Sequence, residues 1–239
     1  MILVTGGAGY IGCVLVRELL DRGEAVRVFD KLFFGEDPLS EYRDRIELVE
    51  GDIRSIDESA FAGVDAVIHL AGLSNDPTAE YNPHANYEIN TVATERLAKF
   101  SKRAGVKRFT FASTCSIYDR GLFADDVLVD ETADVAPRAA YAVSNYDAEK
   151  ILLQLADDSF CPVIFRQGTV YGYSPRMRYD LVVNTFVKDA LSTGRLTVFG
   201  GGEMWRPLVD VSDVAEAHIC AVEAPEEKVQ GQIFNVSYR

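Results

Sequence analysis

The first twelve residues constrain the fold of this chain most strongly. A short apolar run, Ile2–Thr5, leads into glycines at positions 6, 9 and 12, and the periodicity of an amphipathic helix begins at Ile11. Glycines with this spacing between a strand and a helix let the backbone come close to a pyrophosphate, whose charge then lies at the N-terminus of the helix. The segment therefore predicts a dinucleotide-binding turn. Its predicted contacts are Gly6, Gly9, Tyr10, Ile11 and Gly12.

Apolar runs alternate with amphipathic stretches along most of the remaining chain. Predicted strands follow at 25–29, 46–49, 65–70, 108–112 and 162–165, and predicted helices at 85–104 and from about 141. Strands that alternate with helices and are continuously apolar predict an α/β fold with a Rossmann-type doubly wound parallel sheet. After Arg166 the sequence becomes rich in loops. We therefore expect a dinucleotide-binding domain at 1–165 and a small C-terminal substrate lobe at 166–239, partly interleaved with it.

Composition and charge exclude several other classes. With 239 residues, 48% of them hydrophobic, the chain is expected to bury a large core. Its net charge of −13 leaves no basic surface for a phosphate backbone, so no nucleic acid partner is expected. The four cysteines lack the spacing of a zinc site or a disulfide framework, and no metal is indicated. The absence of a leader and of a long apolar run predicts a cytoplasmic protein with no membrane partner.

A carboxylate and two further strand ends complete the expected cofactor site. Asp30 ends the second predicted strand, where its side chain can accept hydrogen bonds from the hydroxyls of an adenosine ribose. The same charge repels a 2′-phosphate and favours NAD over NADP, although the neighbouring Lys31 weakens that inference. Asp52 follows the third strand, and Ala71 and Gly72 follow the fourth. In open α/β sheets, ligands bind at these carboxyl ends of strands.

Several motifs together resemble one family. They lie at 5–12, 30, 51–54, 69–72, 90–92 and 113–118. In this order they resemble the extended short-chain dehydrogenase/reductases, and among these the NDP-sugar epimerases of the UDP-galactose 4-epimerase kind. The resemblance implies NAD as cofactor, with Asp52 and Ile53 at the adenine, Ala71 and Gly72 at the nicotinamide half, and Asn90 in support of the active site. The further cofactor contacts predicted in this way are Asp30, Lys31, Asp52, Ile53, Leu70, Ala71, Gly72, Asn90 and Tyr141.

Members of this family oxidise a sugar hydroxyl with a Tyr-x-x-x-Lys pair and an assisting Ser or Thr. A free tyrosine, with a pKa of about 10, is a weak base at neutral pH, and a nearby cation stabilises its phenolate. The flanking residues align Tyr141 with the family's tyrosine, which puts Asn145 in the place of the lysine. A neutral amide supplies no positive charge. We therefore expect weakened catalysis, whether Asn145 marks a divergent natural member, an inactivating substitution or a chain with another cation in that place.

A second Tyr-x-x-x-Lys pair, Tyr146 and Lys150, lies in the same segment. At about 100° per helical residue, Tyr146 points about 140° away from Tyr141, so the two pairs cannot both face the nicotinamide. The proline before Tyr141 and the Ala-x-Ser after it favour Tyr141 as the base. Lys150 is expected to be a solvated helix residue.

The hydroxyl partner of Tyr141 is expected at the end of the fifth strand. Thr114 aligns with the family's Ser or Thr, while Ser113 and Ser116 are neighbours that can substitute for it. The similar nucleotide-sugar 4,6-dehydratases carry Asp-Glu after this threonine, as acid and base for the removal of water. Cys115 and Ser116 take those positions here, which disfavours dehydration. The predicted catalytic set is Tyr141, Thr114, Asn145 and Ser113.

Two segments of the lobe, 166–172 and 205–215, resemble the parts of the family that grip a nucleotide diphosphate. Arg206 is the first candidate because a guanidinium matches phosphate oxygens in charge and geometry. Arg176 and Arg178 are weaker candidates. The predicted substrate contacts are Ser116, Thr169, Arg178, Asp180, Leu181 and Arg206.

Other residues of these segments are given structural roles. Trp205 can simply be part of the core. Asp213 is expected to cap the helix that runs from Ala215 to Val222 rather than to contact a ligand.

These residues favour reversible epimerisation of a nucleotide-diphosphate sugar. In this hypothesis Tyr141 removes a proton from a hydroxyl, at C4 for preference, while hydride passes to NAD and returns to the other face of a transient keto sugar. Net oxidation or reduction of a keto sugar by soluble NAD(P)(H) is the alternative reaction. A third hypothesis is a catalytically silent dinucleotide sensor or scaffold, motivated by Asn145 and by a C-terminus that is short for the family, either naturally or by truncation. The resemblance also implies a homodimer joined through the helices at 85–104 and 141–157.

Overall fold

The computed structural model describes residues 1–118, 128–203 and 205–238. Its strands are β1 (Ile2–Thr5), β2 (Val26–Asp30), β3 (Ile46–Glu50), β4 (Ala66–His69), β5 (Arg108–Thr114), β6 (Cys161–Gln167), β7 (Thr169–Tyr171), β8 (Leu208–Asp210) and β9 (Ile233–Val236). Its α-helices are α1 (Tyr10–Asp21), α2 (Asp76–Tyr81), α3 (Pro83–Tyr87), α4 (Ala93–Arg103), α5 (Ala140–Leu155), α6 (Val182–Thr193), α7 (Val211–Glu223) and α8 (Glu226–Val229). None of the helices in these ranges is both long and apolar enough to cross a membrane.

Seven strands form one sheet in the order β3-β2-β1-β4-β5-β6-β9, and every neighbouring pair in it is parallel. The predicted Rossmann-type doubly wound parallel sheet is therefore confirmed. The direction of winding reverses between β1 and β4, and the carboxyl ends of these two strands open a crevice of the kind in which such sheets bind ligands. Strands β7 and β8 pair with each other in a separate two-stranded sheet.

Apolar side chains cover both faces of the main sheet. Ile2 and Val4 pack on one face in a cluster with residues of α1 and α7, whereas Leu3 points to the other face and packs with Leu97 of α4 and Leu152 of α5. This alternation follows from the two-residue period of a strand. Because α7 packs against α1 and β9 returns to the main sheet beside β6, the C-terminal part of the chain interleaves with the N-terminal part.

Strands β5 and β6 run two residues beyond the apolar runs that predict them. Their extra residues are polar, and they pair in register, Ser113 with Arg166 and Thr114 with Gln167. All four are buried. The apolar pattern stops early because these side chains carry hydrogen bonds of their own into the site, so burial here does not require an apolar residue.

The helix predicted at 85–104 is divided by one wider turn. Helix α3 passes into a π-helical turn, Glu88–Val92, and then into α4. Such turns insert an extra residue and are often found at functional sites. Here the π-helical turn carries Asn90, whose side-chain amide exchanges two hydrogen bonds with the backbone of Leu73 in the loop after β4.

Two of the three histidines are buried and uncharged. The Nδ1 atom of His69 lies 2.6 Å from Thr5 Oγ1, and its Nε2 atom lies 2.8 Å from Thr94 Oγ1, which donates its own proton to the carbonyl oxygen of Asn90. His218 contacts Thr110 and Gln167 in the same manner. Burial lowers the pKa of both histidines to about 3.

This burial predicts an acid-sensitive fold. Between pH 6.5 and 3 the unfolded chain binds protons at these histidines that the folded chain does not, so the free energy of unfolding falls as the pH falls, by up to about 1.4 kcal/mol per pH unit for each. Urea denaturation at pH 7, 6 and 5 measures the free energy of unfolding at each pH. Its slope against pH should be smaller for His218→Gln than for the unmodified protein. The exposed His84, changed to Gln, serves as control and should leave the slope unchanged. Equal slopes in all three proteins would contradict the prediction.

Candidate active site

The glycine-rich turn at the end of β1 is folded tightly against the rest of the site. Gly6 has a φ of +75°, and a Cβ added there would lie 2.7 Å from the backbone nitrogen of Ala71. A Cβ on Gly12 would overlap the carbonyl oxygen of Gly6. These two glycines are therefore required by the turn itself. It follows that the turn brings the carboxyl ends of β1 and β4 into direct contact.

Gly9 has a different reason to be glycine. It is the N-cap of α1, its φ of −81° suits any residue, and an added Cβ would approach a single group, the Gly6 carbonyl oxygen at 3.1 Å. The cap contributes no side-chain hydrogen bond to the first turn of the helix. A phosphate can take the place of that side chain, because the N–H groups and the dipole of a helix N-terminus favour an anion. The turn thus fits the pyrophosphate of a dinucleotide.

Asp30 lies beside this turn at the end of β2. Its two carboxylate oxygens accept hydrogen bonds from the backbone N–H groups of Ala8, at 3.0 Å, and Leu32, at 2.8 Å. Each oxygen retains a lone pair for a ribose hydroxyl. Lys31 points away from Asp30, because its Nζ lies 2.5 Å from Asp52 Oδ2. Lys31, whose charge weakened the inference of NAD over NADP from the sequence, is thus paired with Asp52 rather than with Asp30.

Asp52 is held in a network of charges at the predicted adenine end. It caps the short helical turn that begins at Ile53, and Arg54 binds both of its oxygens, at 2.9 and 2.6 Å. Hydrogen bonds from Arg54 and then Lys31 hold the pKa of this carboxyl well below its usual range. Asp52 is therefore ionised at any physiological pH and is oriented to accept hydrogen bonds.

The loop after β4 is braced by side-chain amides. Asn90 Nδ2 donates to Asn86 Oδ1, at 2.9 Å, and Asn86 Nδ2 donates to Ser144 Oγ of α5, at 2.8 Å. Because Asn90 also binds Leu73, one chain of hydrogen bonds joins the loop that contains Leu70, Ala71 and Gly72 to the helix that carries Tyr141. The predicted supporting role of Asn90 has this geometric basis.

Tyr141 lies in the first turn of α5, and Thr114 at the end of β5 is near enough to act on the pKa of its hydroxyl. Burial raises the pKa of Tyr141 to about 12, opposed by the hydrogen bond from Thr114 and by the charge of Arg178. Asn145 is buried, and its Nδ2 donates to the backbone carbonyl of Tyr141, at 2.9 Å. The structure thus brings Tyr141 and Thr114 together, while the amide of Asn145 is turned to its own helix.

The other hydroxyls of the 113–116 segment have different environments. Ser113 donates to the buried carboxylate of Glu149 rather than to Tyr141. Ser116 is exposed at the strand end, and its N–H donates to Thr114 Oγ1, at 3.2 Å. Between them, burial raises the pKa of the Cys115 thiol to about 11, so it is uncharged at neutral pH. Of the candidate hydroxyls, Thr114 is therefore the one placed to assist Tyr141.

A buried ion pair beneath Tyr141 was not singled out from the sequence. Glu149 of α5 and Arg166 of β6 are both almost inaccessible to solvent, and Arg166 Nη2 lies 2.8 Å from Glu149 Oε2. Arg166 also donates to the hydroxyl of Tyr118, which donates to Asn235 Oδ1 of β9. An arginine within an apolar strand is the signal that could have revealed it, since a buried charge requires a partner.

Two arginines among the predicted substrate contacts, Arg178 and Arg206, act on the surroundings of Tyr141 and Thr114. Arg178 Nη1 donates to Ser74 Oγ, at 3.0 Å, and Arg178 Nη2 to Asp180 Oδ2, at 2.7 Å, so it joins the loop after β4 to the segment before α6. Arg206 is exposed, and its charge acts on Cys115, next to Thr114. The charges of both predicted phosphate contacts therefore act on residues at or next to the Tyr141 and Thr114 site.

Other lobe residues have structural positions. Thr169 is half-buried at the start of β7, and its N–H donates to the Pro207 carbonyl, at 2.7 Å. Leu181 is the N-cap of α6 and packs against the core cluster of β1 and α1. Trp205 is 73% exposed, so its assignment to the core is wrong.

Two further expectations concern helix residues. Asp213 does not cap α7, because that helix begins two residues earlier and its cap is Asp210, which accepts from the N–H of Ser212. Lys150 is exposed, as predicted, and its Nζ lies 2.6 Å from Asp147 Oδ1 and over the ring of Tyr146. The second Tyr-x-x-x-Lys pair is therefore a surface pair on α5.

The fold and this site define a class: a parallel α/β protein with a glycine turn that suits a dinucleotide, a carboxylate at the end of β2, and a tyrosine of α5 beside a threonine of β5. The profile of the NAD dependent epimerase/dehydratase family matches residues 2–237. The chain belongs to this family. This confirms the predicted resemblance to the extended short-chain dehydrogenase/reductases and the prediction of NAD as cofactor.

Relatives within the family differ in reaction. A UDP-N-acetyl-alpha-D-glucosaminuronate decarboxylase of Bacillus cytotoxicus is 31% identical over 246 residues, covering 98% of this chain and 74% of the relative. The UDP-glucose 4-epimerase of Thermotoga maritima, solved with UDP-glucose, superposes with a TM-score of 0.88 at 28% identity, covering 99% of this chain and 76% of that one. A Thermus thermophilus UDP-glucose 4-epimerase in complex with NAD superposes with a TM-score of 0.81 at 29% identity, covering 99% of this chain and 77% of that one. The chain spans between about half and three quarters of the length of its curated relatives.

The contrast between the glycines yields a prediction about cofactor binding. Gly9→Ala should raise the dissociation constant for NAD by about tenfold or more, because its methyl group occupies the approach to the helix N-terminus. The free energy of unfolding should change by about 1 kcal/mol or less. Isothermal titration calorimetry and urea denaturation measure the two effects. Gly23→Ala is the control: Gly23 has a φ of +84° with no atom near its added Cβ, so stability should fall without a change in NAD affinity. Unchanged NAD affinity in Gly9→Ala would refute the prediction.

Proposed function

We propose that the chain is an NAD-dependent epimerase of nucleotide-diphosphate sugars that acts at C4 through a transient keto sugar. The observation that carries the proposal is the placement of Thr114, at the end of β5, beside Tyr141 in the first turn of α5, where it lowers the pKa of that tyrosine. Tyr141 takes the proton of the sugar hydroxyl as a phenolate and becomes a neutral phenol, while Thr114 hydrogen-bonds the phenolate before the transfer and orients that hydroxyl. NAD, when bound, accepts a hydride from the sugar carbon and returns it.

The electrostatics of the pocket support slow turnover at neutral pH. Burial strengthens the hold of Tyr141 on its proton, and the amide of Asn145 offers no compensating charge. The positive charge that acts on Tyr141 is that of Arg178, which is shared with Asp180. With a pKa near 12, the phenolate fraction rises about tenfold with each pH unit below that value, so activity should rise with pH.

One feature favours epimerisation over dehydration. Cys115 and Ser116 stand where the 4,6-dehydratases carry an acid and a base, and neither the neutral thiol nor the hydroxyl suits the removal of water. We infer that Arg178 and Arg206 bind the substrate diphosphate, with Ser116, Thr169, Asp180 and Leu181 as further contacts.

The proposal includes the division of labour and the assembly. Residues 1–165 bind the dinucleotide, residues 166–239 bind the sugar nucleotide, and two copies join through α4 and α5. Exposed Tyr87 and Val92 at the start of this helical segment supply apolar surface for such contact. Sedimentation at micromolar concentration tests the dimer, and a monomer there would refute it.

A panel of UDP-, dTDP-, GDP- and CDP-sugars tests the reaction. Formation of the C4 epimer, followed by nuclear magnetic resonance, without net change in the absorbance of reduced nicotinamide, is the expected result. A stoichiometric absorbance change would assign a ketoreductase or dehydrogenase instead, and release of carbon dioxide from a UDP-uronic acid would assign a decarboxylase. Binding of NAD without turnover across the panel would leave a dinucleotide sensor or scaffold.

The position of Asn145 gives the sharpest variant. Asn145→Lys should lower the pKa of Tyr141 by about one to three units, because an opposite charge within about 6 Å favours the phenolate. Turnover at pH 7 should therefore rise by about tenfold or more, with the whole pH–rate profile moved to lower pH. Asn145→Met is the matched control, because methionine is similar in length to lysine but carries no charge. It should change neither the turnover at pH 7 nor the pH–rate profile. Identical profiles for the Lys and Met variants would contradict the prediction.

A further inference from the structure

Arg176, which the sequence grouped with the substrate contacts, lies on the cofactor side of the molecule. Its guanidinium carbon is 3.5 Å from the centre of the Phe34 ring. Phe34 belongs to the short segment that directly follows Asp30, and its side chain is otherwise 65% exposed. Arg176 and Phe34 thus meet beside the segment that follows Asp30, the residue predicted to bind the adenosine ribose.

The backbone around Arg176 is fixed to the dinucleotide turn. The hydroxyl of Tyr10, the first residue of α1, donates to the Gly172 carbonyl, at 2.7 Å. Ser174, fully buried, donates from its Oγ to the carbonyl of Tyr10, at 2.7 Å, and accepts from the N–H of Arg176, at 3.3 Å. Because Tyr10 adjoins the helix N-terminus that suits a pyrophosphate, these bonds place the Arg176 backbone beside the phosphate position.

The guanidinium of Arg176 has hydrogen-bonding capacity to spare. Its Nη1 donates to the Met177 carbonyl, and its Nε is buried with no hydrogen-bond partner among the residues that the structure describes. A guanidinium carries five N–H donors in one plane. The Phe34 ring occupies one face of the group and leaves the edge, which carries the N–H donors, uncovered by that ring. A buried donor without a partner is costly, and a ligand oxygen would remove that cost.

The charge of Arg176 reaches the first turns of α1. Burial raises the pKa of the Cys13 thiol to about 12, Asp30 raises it further, and Arg176 opposes both. The cation therefore acts at the same helix end as the glycine turn, and it balances the carboxylate of Asp30 there. A dinucleotide at this position would bring two phosphate charges to it.

We propose that Arg176 is a cofactor-binding residue, whose guanidinium, stacked on Phe34, donates hydrogen bonds to the pyrophosphate of the bound dinucleotide. Arg176 and Phe34 then close over the glycine turn from outside, opposite the helix N-terminus. The arginine belongs by sequence to the lobe that binds the sugar nucleotide, so cofactor binding would order that lobe before the sugar arrives. Arg178, two residues later, is turned instead to Ser74 and Asp180.

Calorimetry with a set of ligands tests this assignment. Arg176→Met should weaken binding of both NAD and ADP-ribose by about tenfold or more, with a smaller dependence of affinity on salt, and should leave the affinities for adenosine and UDP unchanged. Arg176→Lys should retain part of the affinity. Arg195→Met is the matched control, because it removes an exposed arginine that contacts none of the candidate site residues and should leave NAD binding unchanged.

Each other outcome overturns the proposal. Weaker binding of UDP with unchanged NAD would return Arg176 to the substrate. Weaker binding of NADP alone would make it a contact of a 2′-phosphate. Equal losses for NAD and adenosine would show that the variant disturbs the turn rather than a phosphate contact. All of these measurements use binding alone, so they are independent of whether the protein is an epimerase.

Discussion

The close approach of the β1 turn to the β4 loop is the constraint on which the rest of the site depends. Gly6 can lie against Ala71 because it lacks a side chain and because its φ is positive, and this contact sets the width of the crevice at the switch point of the sheet. Asp30 is tied to the same turn through Ala8, and Tyr10 ties it to the segment at 172–176. The glycine turn thus positions Asp30 at the expected cofactor site, and Tyr10 within the turn positions the 172–176 segment.

Charge is distributed unevenly around this crevice. The chain carries a net charge of −13, yet the charges of Arg176, Arg178 and Arg206 all act on residues at or next to the candidate site. In an acidic protein such a local concentration attracts anionic ligands while the remaining surface repels them. Beneath the pocket, the pair of Glu149 and Arg166 is satisfied internally. It joins α5, β5, β6 and β9, so the helix of Tyr141 is positioned by a buried ion pair whose loss of one partner costs about 3–5 kcal/mol.

The sequence predicts the sheet well because buried parallel strands need apolar residues, and the alternation with helices leaves few other arrangements. It predicts the turn, Asp30 and the pairing of Tyr141 with Thr114 for a related reason: each is a local pattern or a motif of fixed spacing. It fails where partners are distant in sequence. The ends of β5 and β6 are polar because Glu149 and Tyr118 lie beneath them. Arg176 points to the cofactor side because of Phe34 and Ser174, and no spacing rule connects those residues.

The replacement of lysine by asparagine changes where the positive charge comes from. A lysine at position 145 would lie on the same helix as Tyr141, and its distance to the phenolate would be set by α5 alone. Asn145 instead satisfies its amide on the Tyr141 carbonyl, which permits its burial without charge. The charge that acts on Tyr141 then comes from Arg178, which is held by Ser74 on one side and Asp180 on the other. The fraction of Tyr141 that is ionised at neutral pH therefore depends on how the segment before α6 lies against the β4 loop. A diphosphate that draws Arg178 to itself would raise the pKa of Tyr141 and lower that fraction.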